Sequence, residues 1–451
     1  GTFNVAIGNS AGGAVTTGIQ NTLIGGLAGD SLTDADYNVA VGHSALDADT
    51  LGSRSVAVGT HALTSQNFTS ATSTYNVAVG FEAGAAVTTG TNNTIIGGLS
   101  GDAITTGSNN TTLGYVALGN TTTGASNVAV GYAAGLANTT ASNNVSVGTQ
   151  AAQSGTTGAS NVAIGKEALY SNVTISNSTA VGFQALQAAT NGPNTAVGSQ
   201  ALTDVTTGYD NTAVGRNAGK LVTTGIRNSA FGDIAFDANT TGSYNTALGA
   251  YSLGANTTAD NNTAVGYQAL LANTTGAQNV AVGAQALDAN TTASNNTSIG
   301  FQSLTTNTTG SSNTAVGQSA LSTNSTGAGN TAIGRQALIA NTTASNNTAV
   351  GYQSLYANTT GSENTALGGG ALDANTTAND NTAIGYNALG VNTTGASNSV
   401  LGAYALDGNT TGANNVAVGR AALGVNSTAS NNTAVGYNSL TANTTGIYNV
   451  A

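Results

Sequence analysis

A 17-residue repeat runs through this chain from end to end, and no other feature restricts its folding so strongly. The repeat core is Asn-Thr/Val-Ala-Val/Ile-Gly, as in Asn4-Val5-Ala6-Ile7-Gly8, Asn262-Thr263-Ala264-Val265-Gly266 and Asn432-Thr433-Ala434-Val435-Gly436. Of the 25 intervals between repeat glycines, 23 are 17 residues; Gly59 to Gly80 is 21 and Gly182 to Gly198 is 16. So short and regular a period predicts an architecture extended along one axis, each repeat touching mainly its neighbours.

Seventeen residues are too few for a strand, helix and returning strand, and the Gly, Asn and Thr content disfavours helix. Thr263-Ala264-Val265 is strand-like, whereas Thr274-Thr275-Gly276 carries turn chemistry. The expected fold is therefore all-β: a parallel β-solenoid with one 17-residue coil per repeat, and residues 1–451 as a single continuous domain of about 26 coils. At the usual strand spacing such a stack would rise on the order of 120 Å. The 21-residue coil, 60–80, is expected to extrude a loop around Asn67, Phe68 and Thr69, the one local candidate for ligand contact, and the 16-residue coil, 183–198, to tighten its turn at Asn191-Gly192-Pro193.

All 26 residues immediately before a repeat glycine are Val, Ile, Leu or Phe. Alternation along the strand separates this column from the Ala column before it. The natural expectation is that Ile7, Val41, Val130, Val265, Val316 and Val435 fill the coil interior together with Leu270. The Ala264 column would then lie on the other face. An Ala-lined face does not look solvated, and a thin core must offset the ordering entropy of each coil. This predicts that chains pack side by side over the Ala face.

A compensating swap supports the coil. Where Gly replaces Leu four residues after the repeat glycine (Gly12, Gly29, Gly84, Gly101, Gly219), an apolar residue stands three residues later: Val15, Leu32, Val87, Ile104, Val222. Gly135 is the exception and keeps Asn138. Elsewhere that later position is Asn, in thirteen successive coils from Asn239 to Asn443. Asn239, Asn256, Asn273, Asn290, Asn307 and Asn341 are candidates for a ladder of stacked amides. The alternative is that they simply occupy left-handed turn positions.

The motif Asn-Thr/Val-Ala-Val/Ile-Gly followed by x-x-Ala-Leu resembles the head repeats of YadA-like trimeric autotransporter adhesins and the repeats of phage tail-fibre-like proteins. The resemblance covers essentially the whole chain. It implies a left-handed β-roll, three chains about a common axis, and an extracellular place on a cell surface or virion. The adhesin coil is 14 residues, so the longer coil here weakens any transfer of ligand binding. The function expected is a structural and adhesive homotrimeric fibre segment that mediates attachment to a host-cell receptor or surface glycan. The alternative is an ice-binding or glycan-binding β-solenoid. Thr274-Thr275 argues against ice, because adjacent residues point to opposite faces.

The remaining chemistry points away from an enzyme, and no cofactor or metal is expected. Seven Lys and Arg against 18 Asp and Glu, without a basic cluster, disfavour nucleic acid. No apolar run is long enough to insert in a membrane, and no cysteine is present. His43 and His61 stand at different phases of adjacent coils. The acidic residues Asp30, Asp34, Asp36, Asp47 and Asp49 lack a calcium-binding repeat pattern. The chain begins and stops in mid-repeat, as expected of a fragment of a longer protein.

Overall fold

The computed structural model describes residues 1–451 and contains strands, turns and no helix. It is an all-β parallel solenoid with 17-residue coils, divided into two compact units, Gly1–Arg227 and Asn228–Ala451. Both irregular coils belong to the first unit, and the run of thirteen successive Asn coils belongs to the second.

Each coil contributes one three-residue strand ending just before the repeat glycine, such as Thr263–Val265, and successive strands pair in parallel without slippage. Thr263 opposes Val280, Ala264 opposes Ala281 and Val265 opposes Val282. The remainder of the coil is also bonded to its neighbour. Leu270 N donates to Ala286 O (3.0 Å), Ala272 N to Asp288 O (2.8 Å) and Thr274 N to Thr291 O (2.8 Å). Coil-to-coil bonds thus satisfy the turns as well as the strand, as close stacking of backbone requires.

The repeat glycine is fixed by two independent constraints. Gly266 has φ +131°, and a Cβ there would lie 2.6 Å from Gly283 O of the next coil. Three other residues per coil take left-handed backbone, for example Gln268, Leu270 and Gln278 at φ +56°, +52° and +60°. A leucine in that region carries backbone strain of about 1–2 kcal/mol, comparable with the gain from burying its side chain.

That balance explains the glycine swap. Gly29 and Gly84 occupy the same left-handed position at φ +57° and +60°, where glycine is unstrained. The volume given up is filled from elsewhere: a Cβ at Gly29 would meet Leu23 Cδ2 and Leu32 Cδ1 at 2.8 Å, and one at Gly84 would meet Ile95 Cδ1 at 2.8 Å. At Gly135, Leu118 Cδ2 of the preceding coil lies 2.8 Å from where a Cβ would be, but Leu202 Cδ2 stands equally close (2.9 Å) to Gly219, which keeps Val222, so this contact does not explain the exception.

The facing of the strand is the reverse of the sequence expectation. Ala264 and its equivalents point into the coil and are fully buried, alongside Ala269 and Leu270. Leu270 is thus a core residue. Ile7 and Val435 are 59% and 60% exposed, while Val41, Val130, Val265 and Val316 are only partly covered. The cause is thickness. The interior beneath the strand is already occupied by Ala269, Leu270 and buried Asn side chains, so most coils place only a methyl group at the strand centre, with Val400 as a buried exception beside Leu406. No partner chain is needed to cover the Ala face.

Candidate functional site

Three surfaces and two internal networks emerge from this geometry. The first internal network is the Asn column. Asn256 Nδ2 donates to Asn239 Oδ1 (2.9 Å), Asn273 to Asn256 (3.0 Å), Asn290 to Asn273 (2.8 Å) and Asn307 to Asn290 (3.1 Å). The chain of bonds continues through Asn324 to Asn341 (2.9 and 2.8 Å) and onward to Asn443. Each amide also donates within its coil, as Asn273 does to Gly276 O (2.9 Å). None of these residues has a positive φ, so turn conformation is not what selects asparagine here.

A second Asn column, at the start of the repeat motif, carries a ladder the sequence argument did not assign. Asn279 N donates to Asn262 Oδ1 (2.9 Å), and Asn279 Nδ2 reaches Ala293 O (2.9 Å). This asparagine caps the strand while tying together coils on both sides. Its recurrence in the motif was the available signal. Thr274 belongs to a third ladder, its Oγ1 donating to Thr291 O (3.0 Å), while Thr275 is exposed.

The inserted loop of the 21-residue coil is pinned rather than open. Phe68 is only 7% exposed. Its N–H donates to Asp49 Oδ1 (3.0 Å), and its carbonyl accepts from Leu51 N and Thr50 Oγ1. Asp49 is buried and also accepts from Gly52 N (3.0 Å) and Gln66 Nε2 (2.6 Å). Gly52–Ser53 and Thr72–Ser73 form an additional parallel pair beside it. Of the expected contact residues, Asn67 and Thr69 are exposed, whereas the Phe68 ring is turned inward as an anchor. Extra chain on a rigid scaffold needs such an apolar fastening, and that removes Phe68 as a ligand contact.

His43 and His61 lie closer than their different phases suggested, with rings edge to face at 5.7 Å. His61 Nδ1 is 3.8 Å from Glu82 Oε1. No group of three or more His, Cys, Asp or Glu is arranged to hold a metal ion. Burial raises the carboxyls of Asp102, Asp373 and Asp407 above the ordinary range, and backbone hydrogen bonds partly oppose the shift. These three are isolated from one another in sequence and form no acid–base pair. Glu167 is held below the usual range by the Gln184 hydrogen bond first and Lys166 second.

The outward strand face is the most extensive candidate surface. It presents one column of Thr or Val and, two residues on, the Val/Ile/Leu/Phe column. Leu113, Leu248, Leu367 and Leu401 are each nearly half exposed there. Past the repeat glycine lies a second column in which Phe81, Tyr115, Tyr132, Phe183, Tyr267, Phe301, Tyr352, Tyr386 and Tyr437 project into solvent. Compared with known proteins, the chain matches no protein-family model, and no curated sequence matches it.

Proposed function

We propose that the chain is a structural and adhesive fibre segment, acting on the outside of a cell or virion, in which three copies pack through their outward strand faces. The observation supporting this is the unbroken apolar column one residue before each repeat glycine. A contiguous stripe of Val, Ile and Leu repeated on every coil is far more exposed apolar surface than an isolated soluble unit ordinarily carries. Charged side chains do not interrupt it: every position of the three-residue strands is Thr, Ser, Val, Ala, Ile, Leu or Phe. Such a face suits burial against copies of itself, because an identical period on each partner lets every coil repeat the same contact.

This argument uses the face opposite to the Ala column, which the coil fills by itself. The threefold stoichiometry and left-handed winding rest on the resemblance to trimeric adhesin heads and tail-fibre repeats. Attachment as the role rests on the same resemblance. A non-enzymatic role is consistent with a surface whose polar groups serve coil-to-coil bonding.

Light scattering on the purified chain tests the assembly. The expected mass is three times that of the 43.6 kDa chain. Val316→Arg together with Val350→Arg, both on the outward face, should leave each copy folded, because neither side chain enters the core, and should make the assembled copies come apart at lower denaturant concentration. A single copy in the unaltered protein would remove the proposal. The same face supplies the second reading. Thr263 and Val265 project together, two residues apart, on a flat sheet in register, so a monomer that also showed thermal hysteresis would favour an ice-binding surface.

A further inference from the structure

The aromatic column past the repeat glycine is a surface separate from the strand face, and in the second unit its order is not random. Reading one residue after each repeat glycine gives Asp233, Ala250, Tyr267, Ala284, Phe301, Gln318, Arg335, Tyr352, Gly369, Tyr386, Ala403, Arg420 and Tyr437. Aromatic rings recur after two coils or three. At the strand spacing these intervals are about 10 and 14 Å. Small residues fill half of the intervening places (Ala284, Gly369 and Ala403), and the Tyr386 ring passes 3.7 Å from where a Cβ of Gly369 would stand. The Tyr386 ring thus leans back over the Gly369 coil while more than half of it stays exposed.

Where the interval is three coils, an arginine precedes the next ring. Arg335 lies 5.8 Å from the centroid of Tyr352, and Arg420 lies 6.0 Å from that of Tyr437. Tyr404 joins this platform: its ring meets Tyr386 edge to face at 5.4 Å and is 6.0 Å from Arg420. Tyr386, Tyr404, Arg420 and Tyr437 thus form one connected patch spanning four successive coils. On the coils that precede this patch, the position next to the aromatic column carries amides: Gln302 Nε2 donates to Gln285 Oε1 (2.9 Å) and Gln353 Nε2 to Gln336 Oε1 (3.1 Å).

The geometry points to a lengthwise binding surface for a neutral, linear, β-linked polysaccharide on this column. The apolar faces of pyranose rings stack on Tyr and Phe. An extended β-linked chain advances by roughly one sugar per coil at the strand spacing, so rings two and three coils apart meet sugars two and three places apart along one chain. The amide column and the two guanidinium groups supply hydrogen bonds for ring hydroxyls. A neutral chain is favoured over a polyanion because the protein carries a formal net charge of −11 and only two cations stand in this column. The assignment rests on the attachment reading above only in supplying the class of ligand.

Native electrophoresis of the full chain through gels containing hydroxyethyl cellulose tests it, with alginate as the anionic comparator. Retardation by hydroxyethyl cellulose is expected. Tyr352→Ala and Tyr386→Ala should each weaken binding about fivefold, from the usual worth of an exposed aromatic stacking contact. Tyr356→Ala, exposed but outside the column, should leave retardation unchanged. No retardation, or full retardation of the Tyr352/Tyr386 double variant, overturns the assignment. Retardation by alginate equal to or stronger than that by hydroxyethyl cellulose overturns it too. Light scattering on the same sample separates the two proposals. Assembled protein without retardation defeats only the polysaccharide site, and a retarded single copy defeats only the assembly.

Discussion

Asn341→Ala removes one rung from the middle of the buried amide ladder. In the native coil Asn341 Nδ2 donates to Asn324 Oδ1 (2.8 Å) and to Ala344 O (3.0 Å), while its Oδ1 accepts from Asn358 Nδ2 (3.1 Å). Three hydrogen bonds are lost at a position with no solvent access. At about 1 kcal/mol net per bond the cost is about 3 kcal/mol, and more if Asn324 Oδ1 stays unpaired. Because each coil leans on its neighbours alone, the penalty should be local rather than shared along the unit. Global melting is a poor assay for an array of this kind, so amide hydrogen exchange is the better measurement. Opening of the coils carrying Asn324, Asn341 and Asn358 should become about 100-fold more frequent, which is the same energy expressed as an equilibrium. Thr343→Ala, two residues away and exposed, should change exchange little. Exchange in Asn341→Ala that rises less than threefold, or rises equally in every coil, would refute the idea that the ladder carries local stability.

Three further outcomes follow from the same geometry. Gly266→Ala should cost about 3 kcal/mol or more, through left-handed backbone and collision with Gly283 O, whereas Gly98→Ala should cost little, since its backbone is not left-handed and its Cβ would meet nothing closer than the Tyr115 ring at 3.6 Å; comparative denaturation of the two variants decides. Ala152→Leu should stabilise by about 1–2 kcal/mol, because Ala152 holds the leucine position at φ +49° beside a small cavity lined by Gly135, Ser146 and Gly155; no gain in denaturation midpoint would show that space to be unusable. Asp373 and Asp407 titrate higher in the fold than in the open chain, so the native state holds more protons and their unfavourable contribution fades as pH falls through the raised values. Asp373→Asn should accordingly raise stability at pH 7 and lose that advantage on acidification toward the ordinary carboxylate range, as denaturation at a series of pH values would record.

The coil was legible because the repeat sets strand phase, register and turn position together. The direction each strand faces was not. Ranking columns by hydrophobicity placed Val265 inside and Ala264 outside, yet the space available decides the matter. In so thin a coil Ala is the largest residue most strand centres admit, and the strongly apolar column is left to the surface. The swap between Gly84 and Val87 was readable as volume compensation. Its other half, the larger Ile95 at the neighbouring strand centre, stood in the sequence as an unexplained departure from alanine. Phe68 misled in the opposite sense, since an aromatic residue in an insertion can serve as the insertion's own fastening. His43 and His61 show that phase along the chain does not determine distance between long side chains on adjacent coils.

The two longest strand centres, Leu23 and Ile95, impose a rule of inheritance on the repeat, whereas the shorter Val400 is accepted beside Leu406. Leu23 fits because glycine stands at both Gly12 and Gly29, where added methyl groups would lie 2.7 and 2.8 Å from its δ carbons. Ile95 is accommodated in the same way between Gly84 and Gly101. Most windings can be copied or deleted singly, because every column simply meets its own kind again. These two cannot. A recombination break falling between Gly12 and Leu23, or between Gly84 and Ile95, would set a bulky side chain against leucine, so such pairs must be gained or lost as double turns.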